Sequence, residues 1–183
     1  MKKVLLFSIL FIFSIVSALA YETIIINYPD GELWEKAYYK KIGNEALLQY
    51  VPDGQSSDNW VRSIVIHSYK YPTSTMRVFV NNNILKLQKS NPTAKYKTLR
   101  FRETDALFTR CTDDYKDVKG QCEFFRVTNA HGGFVTIHYM NRNKTDFKNN
   151  YTLWQEIVRN AKLYNSYYRD ERTFDKSQYF ELW

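Results

Sequence analysis

Residues 122–140 read CEFFRVTNAHGGFVTIHYM, and this stretch decides the fold class. Apolar and polar side chains alternate before and after residues 129–133, a Gly-containing turn signal, which predicts two strands joined by a tight hairpin. A similar alternation runs through residues 96–111. Three consecutive strand segments predict an antiparallel meander, in which one face of the sheet can be exposed to water.

The segment before the meander adds a strand and a helix. Residues 60–69 carry apolar side chains on both faces, which is typical of a central strand covered on both sides. Beyond Pro72, apolar residues recur every three or four positions and predict an amphipathic helix that ends at Asn91. The candidate N-cap residues of this helix are Thr73, Ser74 and Thr75. Its apolar stripe consists of Met76, Phe79, Val80, Ile84 and Leu87.

The other segments complete the expected architecture. Residues 32–43 fit either a short helix or a strand, and residues 141–150 predict a polar loop. A second helix is expected to begin at Tyr151 or Thr152. We therefore predict an α+β fold, a mostly antiparallel twisted sheet packed by two helices that ends in a three-stranded meander and a C-terminal helix. The apolar face of the second helix consists of Trp154, Ile157, Val158, Ala161 and Tyr164.

Length and composition exclude several classes of protein. The chain has 183 residues with 15 Tyr, 12 Phe and 4 Trp, but only 6 Gly and 4 Pro. So many aromatic side chains with so little Gly and Pro exclude a disordered, collagen-like or low-complexity protein. The length suits one ordinary domain with a substantial buried core.

The first twenty residues have the pattern of a secretory signal peptide. Lys2 and Lys3 precede an apolar run, and Ala18-Leu19-Ala20 supplies the small residues of a cleavage site. The apolar run is short for a membrane span, although an uncleaved N-terminal anchor is the alternative. No Cys lies near the junction, so a lipoprotein is not expected. We expect residues 21–183 to be exported as a single domain, periplasmic or secreted.

The two cysteines agree with export. Cys111 and Cys122 are the only ones, and an even pair in an exported chain is most simply a disulfide. The bond would close a polar loop between two strands, which is worth about 2–3 kcal/mol in the loop-entropy model. A redox-active pair, the alternative, usually has Cys-x-x-Cys spacing, which is absent.

The histidines are the candidate catalytic residues. His67 lies in the central strand, His138 in the last meander strand and His131 in the hairpin turn. His67 and His138 facing each other across a sheet would form an acid–base pair, as in a small secreted nuclease or other hydrolase. Most isolated strand histidines are structural, however. No serine-hydrolase elbow, phosphate loop or metal-ligand spacing occurs, so neither a cofactor nor a metal is expected.

The basic surplus suggests a second kind of site. Lys97, Arg100 and Arg102 belong to one predicted strand region, and Arg100 and Arg102 are expected to share a strand face. Such a patch would bind an anionic surface, namely lipid headgroups, an acidic protein or an envelope polymer. The formal net charge of +7 falls to +5 when Lys2 and Lys3 are removed with the signal peptide. This modest charge does not favour nucleic acid as the partner.

Residues 167–183 form an aromatic, charged tail without clear periodicity. It carries more aromatic side chains than a short terminal segment needs, so we expect it to contact a partner, most simply another envelope or secreted protein. The candidate contact residues are Tyr167, Tyr168, Phe174, Tyr179, Phe180 and Trp183.

Residues 50–60 read YVPDGQSSDNW and lead into the strand residues 64–66. This segment resembles one found in small exported bacterial proteins of unknown function, and the order of the predicted elements is similar to the PsbP-like α/β/α sandwich. The resemblance implies a binding or assembly role without defined catalytic residues. The leading prediction is therefore an exported, non-enzymatic interaction protein, with the histidine-dependent hydrolase and the anionic-surface binder as alternatives.

The signal peptide can be tested directly. When the full chain is expressed in a bacterium, the exported protein should begin at Tyr21, because the Ala-x-Ala pattern places cleavage after Ala20. Intact-mass measurement checks this. Ala18→Asp should block cleavage, and exported protein that retains residues 1–20 would instead indicate an N-terminal anchor.

Overall fold

The computed structural model describes residues 22–29, 31–70, 74–130, 132–165 and 179–181. The predicted signal peptide, Thr73 and His131 lie outside the described residues. Of the tail, only Tyr179–Glu181 is described, as a strand. The other predicted tail contacts, Tyr167, Tyr168, Phe174 and Trp183, lie outside the described residues.

A seven-stranded antiparallel sheet forms the centre of the fold, with the strand order β2-β3-β4-β8-β7-β6-β5. A smaller sheet has the order β10-β1-β9 and is also antiparallel. These sheets and three helices confirm the predicted α+β class. The strands are β1 (Glu22–Ile25), β2 (Trp34–Ile42), β3 (Glu45–Pro52), β4 (Arg62–Lys70), β5 (Lys95–Phe101), β6 (Asp105–Cys111), β7 (Cys122–Ala130), β8 (Gly133–Asn141), β9 (Lys162–Asn165) and β10 (Tyr179–Glu181), and the helices are α1 (Met76–Ser90), α2 (Lys144–Asn149) and α3 (Tyr151–Asn160).

The meander has four strands, β5 to β8, where three were expected. Residues 96–111, predicted as one strand segment, are divided between β5 and β6. The chain reverses between them, and the backbone N–H of Arg102 donates to the carbonyl of Asp105 at 2.8 Å. Alternation alone does not reveal such a turn, because the polar residues 102–105 also fit an exposed strand edge.

Residues 32–43, which fitted either a helix or a strand, contain the edge strand β2. β2 and β3 are joined by a tight turn at Gly43, whose φ of 54° suits glycine. Both faces of β2 are largely exposed, so its hydrophobic periodicity is weak. Its three lysines are typical of an edge strand protected from pairing with another chain.

The prediction of a polar loop at residues 141–150 was wrong, because α2 lies there. The side chain of Asn143 caps this helix and accepts a hydrogen bond from the backbone N–H of Asp146 at 3.0 Å. The predicted C-terminal helix is α3, which begins at Tyr151 as expected, and α2 is an additional helix, so the described residues form three helices where two were expected. Helix α3 is shorter than its predicted apolar face, because Ala161 is its C-cap residue and Tyr164 lies in β9, which pairs with β1.

Helix α1 agrees with the sequence prediction. Thr75 is its N-cap residue and accepts a hydrogen bond from the N–H of Val78, and Asn91 is its C-cap residue. Met76 and Val80 are buried against the large sheet, whereas other members of the stripe are only partly buried. The apolar stripe is therefore a packing surface.

Each face of the large sheet has its own core. Helix α1 covers one face, where the buried core includes Phe108, Phe125 and Phe134. Helices α2 and α3 cover the other face, together with Ile24 of β1 and Ile26, which follows that strand. Aromatic rings make up much of both cores, which accounts for a large part of the aromatic content. The large sheet is thus a single layer covered on both sides, as the apolar residues on both faces of the central strand predicted.

Cys111 and Cys122 form a disulfide, and they lie directly opposite each other where β6 meets β7. The bond closes the polar loop at the end of this hairpin, as the sequence predicted. Inside the loop, Asp114 accepts a hydrogen bond from the N–H of Gly120 at 2.6 Å.

Removing the disulfide should lower stability without changing the fold. The double variant Cys111→Ala and Cys122→Ala should lose about 2–3 kcal/mol of unfolding free energy, because the unfolded chain gains loop entropy. Urea denaturation followed by circular dichroism measures the loss. Reductant should bring the wild-type protein to the value of the double variant and leave the variant unchanged. Equal stability of wild type and variant would contradict the entropic account.

Candidate ligand-binding cleft

Side chains from five segments of the chain surround a cleft of about 630 Å³. The segments are the connection from β1 to β2, the connection from β3 to β4, the beginning of β4, and the helices α2 and α3 with their capping residues. Ligand sites in proteins typically have volumes of roughly 300–1,000 Å³. The lining residues are Pro29, Glu32, Gln55, Val61, Arg62, Asn143, Asp146, Asn150, Leu153 and Trp154.

An ion pair between Arg62 and Glu32 forms one side of the cleft. Glu32 follows Gly31, whose φ of 81° allows the chain to turn ahead of β2. Arg62 is the first residue of β4, and its Nη1 lies 2.5 Å from Oε1 of Glu32. The indole N–H of Trp34 donates to Oε2 of Glu32 at 3.0 Å. Both charged side chains are partly accessible, at 24% for Arg62 and 28% for Glu32.

A second carboxylate, that of Asp146, is held by two amides. The side chain of Asn141 donates to Oδ2 of Asp146 at 2.7 Å, and the side chain of Asn150 donates to Oδ1 at 2.9 Å. Asn141 is fully buried at the end of β8, directly opposite Arg62 in the ladder. The pairing of β4 with β8 therefore brings Arg62 to the same end of the sheet as the residue that orients Asp146.

Stacked aromatic rings support the cleft from below. The ring centroids of Tyr139 and Trp154 are 3.8 Å apart in a parallel stack, and Trp34 meets Trp154 edge-on at 5.6 Å. Trp154 is only 2% exposed, so it forms the floor and does not offer an open ring face. Burial raises the pKa of the Tyr139 phenol, so the hydroxyl stays neutral.

The segment 50–60 singled out in the sequence lies beside the cleft. Gln55 accepts hydrogen bonds through Oε1 from the backbone N–H groups of Val61 and Arg62, at 2.7 and 3.4 Å. Trp60 is buried, and the guanidinium of Arg142 lies 3.9 Å from the centroid of its ring. The segment thus shapes the entrance to β4 and fixes the backbone that presents Arg62.

Sequence reasoning missed Glu32, Arg62 and Asp146. A usable signal was present nonetheless, because residues 141–150 contain four asparagines. Asparagine side chains cap helices and orient carboxylates, and both roles occur here.

Two of the candidate catalytic histidines, His67 and His138, lie on the opposite face of the sheet from this cleft, on the side of α1. His67 Nε2 lies 3.1 Å from Oε2 of Glu45, and the hydroxyl of Tyr69 is 2.7 Å from Nδ1. The pKa of His67 is lowered, mainly because burial disfavours the charged ring. Glu45 opposes this effect, while His138 and Lys86 add to it.

His138 belongs to a second cluster, centred on the buried carboxylate of Glu123. Its Nδ1 lies 3.6 Å from Oε1 of Glu123, and its Nε2 lies 3.1 Å from Oγ1 of Thr136. Arg110 forms an ion pair with the same carboxylate. Burial by itself raises the pKa of Glu123, but Arg110 and His138 outweigh it and hold this pKa below its usual value.

His67 and His138 therefore lie on the same face of neighbouring strands, as the acid–base hypothesis requires. Each ring nitrogen, however, already faces a side chain of the protein. A general acid or base must reach a proton on the substrate. This arrangement favours a structural role for both histidines, and the hydrolase stays a prediction. His131 lies outside the described residues.

The predicted basic patch is divided by local structure. Arg100 forms an ion pair with Asp105, which also accepts a hydrogen bond from Arg126 at 2.7 Å. A register shift between Thr98 and Arg100 interrupts the alternation of β5, and Arg102 follows the end of the strand. Lys97 and Arg102 are exposed. The anionic-surface patch stays a prediction. The charge of Arg100 is partly neutralised by Asp105.

A model of an uncharacterised bacterial family matches residues 26–166. The chain belongs to this family. No curated protein and no solved structure matches the chain. The region matched by the family model includes every residue that lines the cleft, both histidine clusters and the disulfide.

Two further properties of the described residues bear on this family member. None of the described helices is long and apolar enough to cross a membrane. Within the described ranges, no group of three or more His, Cys, Asp or Glu side chains is arranged to hold a metal ion.

Burial of His67 should make stability depend on pH. Because its pKa is lower in the folded protein, the unfolded chain binds the proton more tightly. The contribution of His67 is therefore complete above the unfolded pKa of 6.5 and is lost as the pH falls below it. The urea concentration at the unfolding midpoint should therefore decrease when the pH is lowered from about 7.5 to about 5.5.

His67→Gln should reduce this slope, because a neutral amide does not titrate in that range. Urea midpoints of wild type and variant at both pH values provide the measurement. An unchanged slope in the variant would show that other groups control the pH dependence.

Proposed function

We propose that this family member is an exported, non-enzymatic binding protein of the cell envelope or of a secretion pathway, and that the cleft is its ligand site. The observation that carries the proposal is the convergence of planar polar side chains from five segments of the chain on one open cleft. Ligand sites characteristically combine such a concavity with a few convergent polar groups.

Export is supported by two independent features. Residues 1–20 have the pattern of a cleavable signal peptide. The sequence has no Cys near the cleavage junction to which a lipid could be attached. The disulfide between Cys111 and Cys122 is compatible with an oxidising compartment. The proposed mature protein is thus the single α+β domain 21–183 with its aromatic tail, located in the periplasm or secreted.

A binding role is favoured over catalysis by the way the polar groups of the cleft are used. Glu32 is paired with Arg62, and Asp146 accepts hydrogen bonds from two amides. Carboxylates held in this way can orient a ligand through hydrogen bonds. His67 and His138, on which the alternative hydrolase partly rests, lie on the other face of the sheet.

The layered arrangement supports the resemblance to the PsbP-like α/β/α sandwich as a further part of the proposal. Helix α1 lies on one face of the sheet, and α2 and α3 lie on the other. Proteins of that fold class, as the resemblance implies, act in binding or assembly.

The partner we propose is another envelope or secreted component. The alternative, binding to an anionic surface, rests on Lys97 and Arg102.

A binding assay with the native envelope fraction tests this function. Immobilised wild-type protein should retain a component of that fraction, and Arg62→Gln should lose most of the retention because the Arg62–Glu32 pair shapes the cleft. The matched control is Arg159→Gln, which breaks an exposed pair with Glu156 on α3. Mass spectrometry of the eluates and circular dichroism of each variant provide the measurements.

The outcomes separate the candidate functions. Retention that is equal in wild type and Arg62→Gln would place binding outside the cleft. Retention that disappears with rising salt and requires Lys97 and Arg102 would support the anionic-surface binder instead.

A further inference from the structure

Two carboxylates and one guanidinium line the cleft, and each already has a partner within the protein. Arg62 neutralises Glu32, and Asp146 is satisfied by the amides of Asn141 and Asn150. A phosphate or carboxylate ligand would meet two carboxylates and only one guanidinium. A cationic ligand would meet the guanidinium at close range. Because each charged group of the cleft already has a protein partner, the arrangement favours an uncharged ligand that binds through hydrogen bonds.

The same groups offer donors and acceptors side by side. A guanidinium has more N–H donors than one carboxylate oxygen can accept from, so Arg62 can contact Glu32 and a ligand together. Gln55, Asn143 and Asn150 also line the cleft, and the protein already binds one polar atom of each amide. Neighbouring hydroxyl groups of a polyol both donate and accept, so they can bind the second polar atom of an amide, whether it is the oxygen or the nitrogen.

Part of the rim of the cleft is apolar. Val61 and Leu153 line it and remain 48% and 46% exposed. Pro29 lines the cleft as well. A sugar ring presents C–H groups as well as hydroxyls, so one ligand can use both the apolar rim and the polar interior.

A peptide suits this cleft less well. Peptides gain affinity by adding a strand to an exposed sheet edge or by filling an apolar groove. The strand that enters the cleft, β4, is central, and both its edges are paired, with β3 and with β8. The polar lining consists of side chains from connections and helix ends, which suits hydroxyl groups better than an extended backbone.

We infer that the cleft binds an uncharged saccharide, with Arg62, Glu32 and Asp146 as the polar contacts and Leu153 as an apolar contact. This inference rests on the proposed function, because it names the ligand class of the same cleft. It assigns no reaction to the site, only recognition.

An array of immobilised neutral oligosaccharides tests the ligand class. Purified full-length chain should bind at least one oligosaccharide of glucose, galactose, mannose or N-acetylglucosamine, and calorimetry with the soluble form should give the affinity. Arg62→Gln should weaken binding by about tenfold or more, the loss expected when a hydrogen bond to a charged group is removed. Binding should change little with salt, because the ligand carries no charge.

A second variant keeps the test informative if Arg62→Gln fails to fold. Leu153→Ser changes an exposed rim residue, so the fold should persist while saccharide affinity falls. The control Arg159→Gln should bind like wild type, because its exposed ion pair on α3 involves no residue that lines the cleft.

The results distinguish this inference from the proposed function. If wild type retains an envelope component through the cleft but binds no neutral saccharide, the ligand class is wrong and the proposed function stands. Binding of peptide probes that is sensitive to Leu153→Ser would also overturn the saccharide. Saccharide binding that is as strong in both cleft variants as in wild type would overturn the site, whatever the envelope assay gives.

Discussion

The antiparallel pairing of β4 with β8 is the contact on which the rest of the structure depends. It joins residues more than sixty positions apart in the chain and places both strands at the centre of the large sheet. Its register sets Arg62 opposite Asn141, which positions the two sides of the cleft. A slip of one residue would turn every side chain of β4 to the opposite face. Core and cleft would then be lost together.

The same register gives the two faces of the sheet different chemistry. Toward α2 and α3, the end of the sheet presents Arg62 and Asn141 beside a stack of aromatic rings. Toward α1, the sheet carries two histidines, each beside its own carboxylate, Glu45 or Glu123. Charged side chains on both faces have polar partners within the protein, because an unpaired charge in a partly buried position is costly.

Long-range side-chain contacts then attach the helices to the sheet. Arg126 on β7 donates to the carbonyl oxygens of Val158 and Ala161 at 3.1 and 2.5 Å, so its cation lies at the C-terminal end of α3. Asp105 accepts from the same guanidinium and fixes its orientation. These contacts hold α3, and with it the floor residue Trp154, against the sheet. The cleft is therefore supported by rigid elements, although several of its lining residues lie in connections.

Local periodicity and turn chemistry determined the α+β class, the central strand, α1 and the position of the disulfide. The first three features depend on residues that are neighbours in sequence. The disulfide could be predicted because each of the two cysteines has one possible partner. The edge strand β2 and helix α2 were ambiguous or missed, because an exposed strand has little periodicity and six residues give hardly two helical turns. The cleft was decided by tertiary structure alone. Glu32, Arg62 and Asp146 meet only after β4 pairs with β8 and α2 packs beside them. These residues are far apart in the sequence, so no local pattern encodes their proximity in the fold.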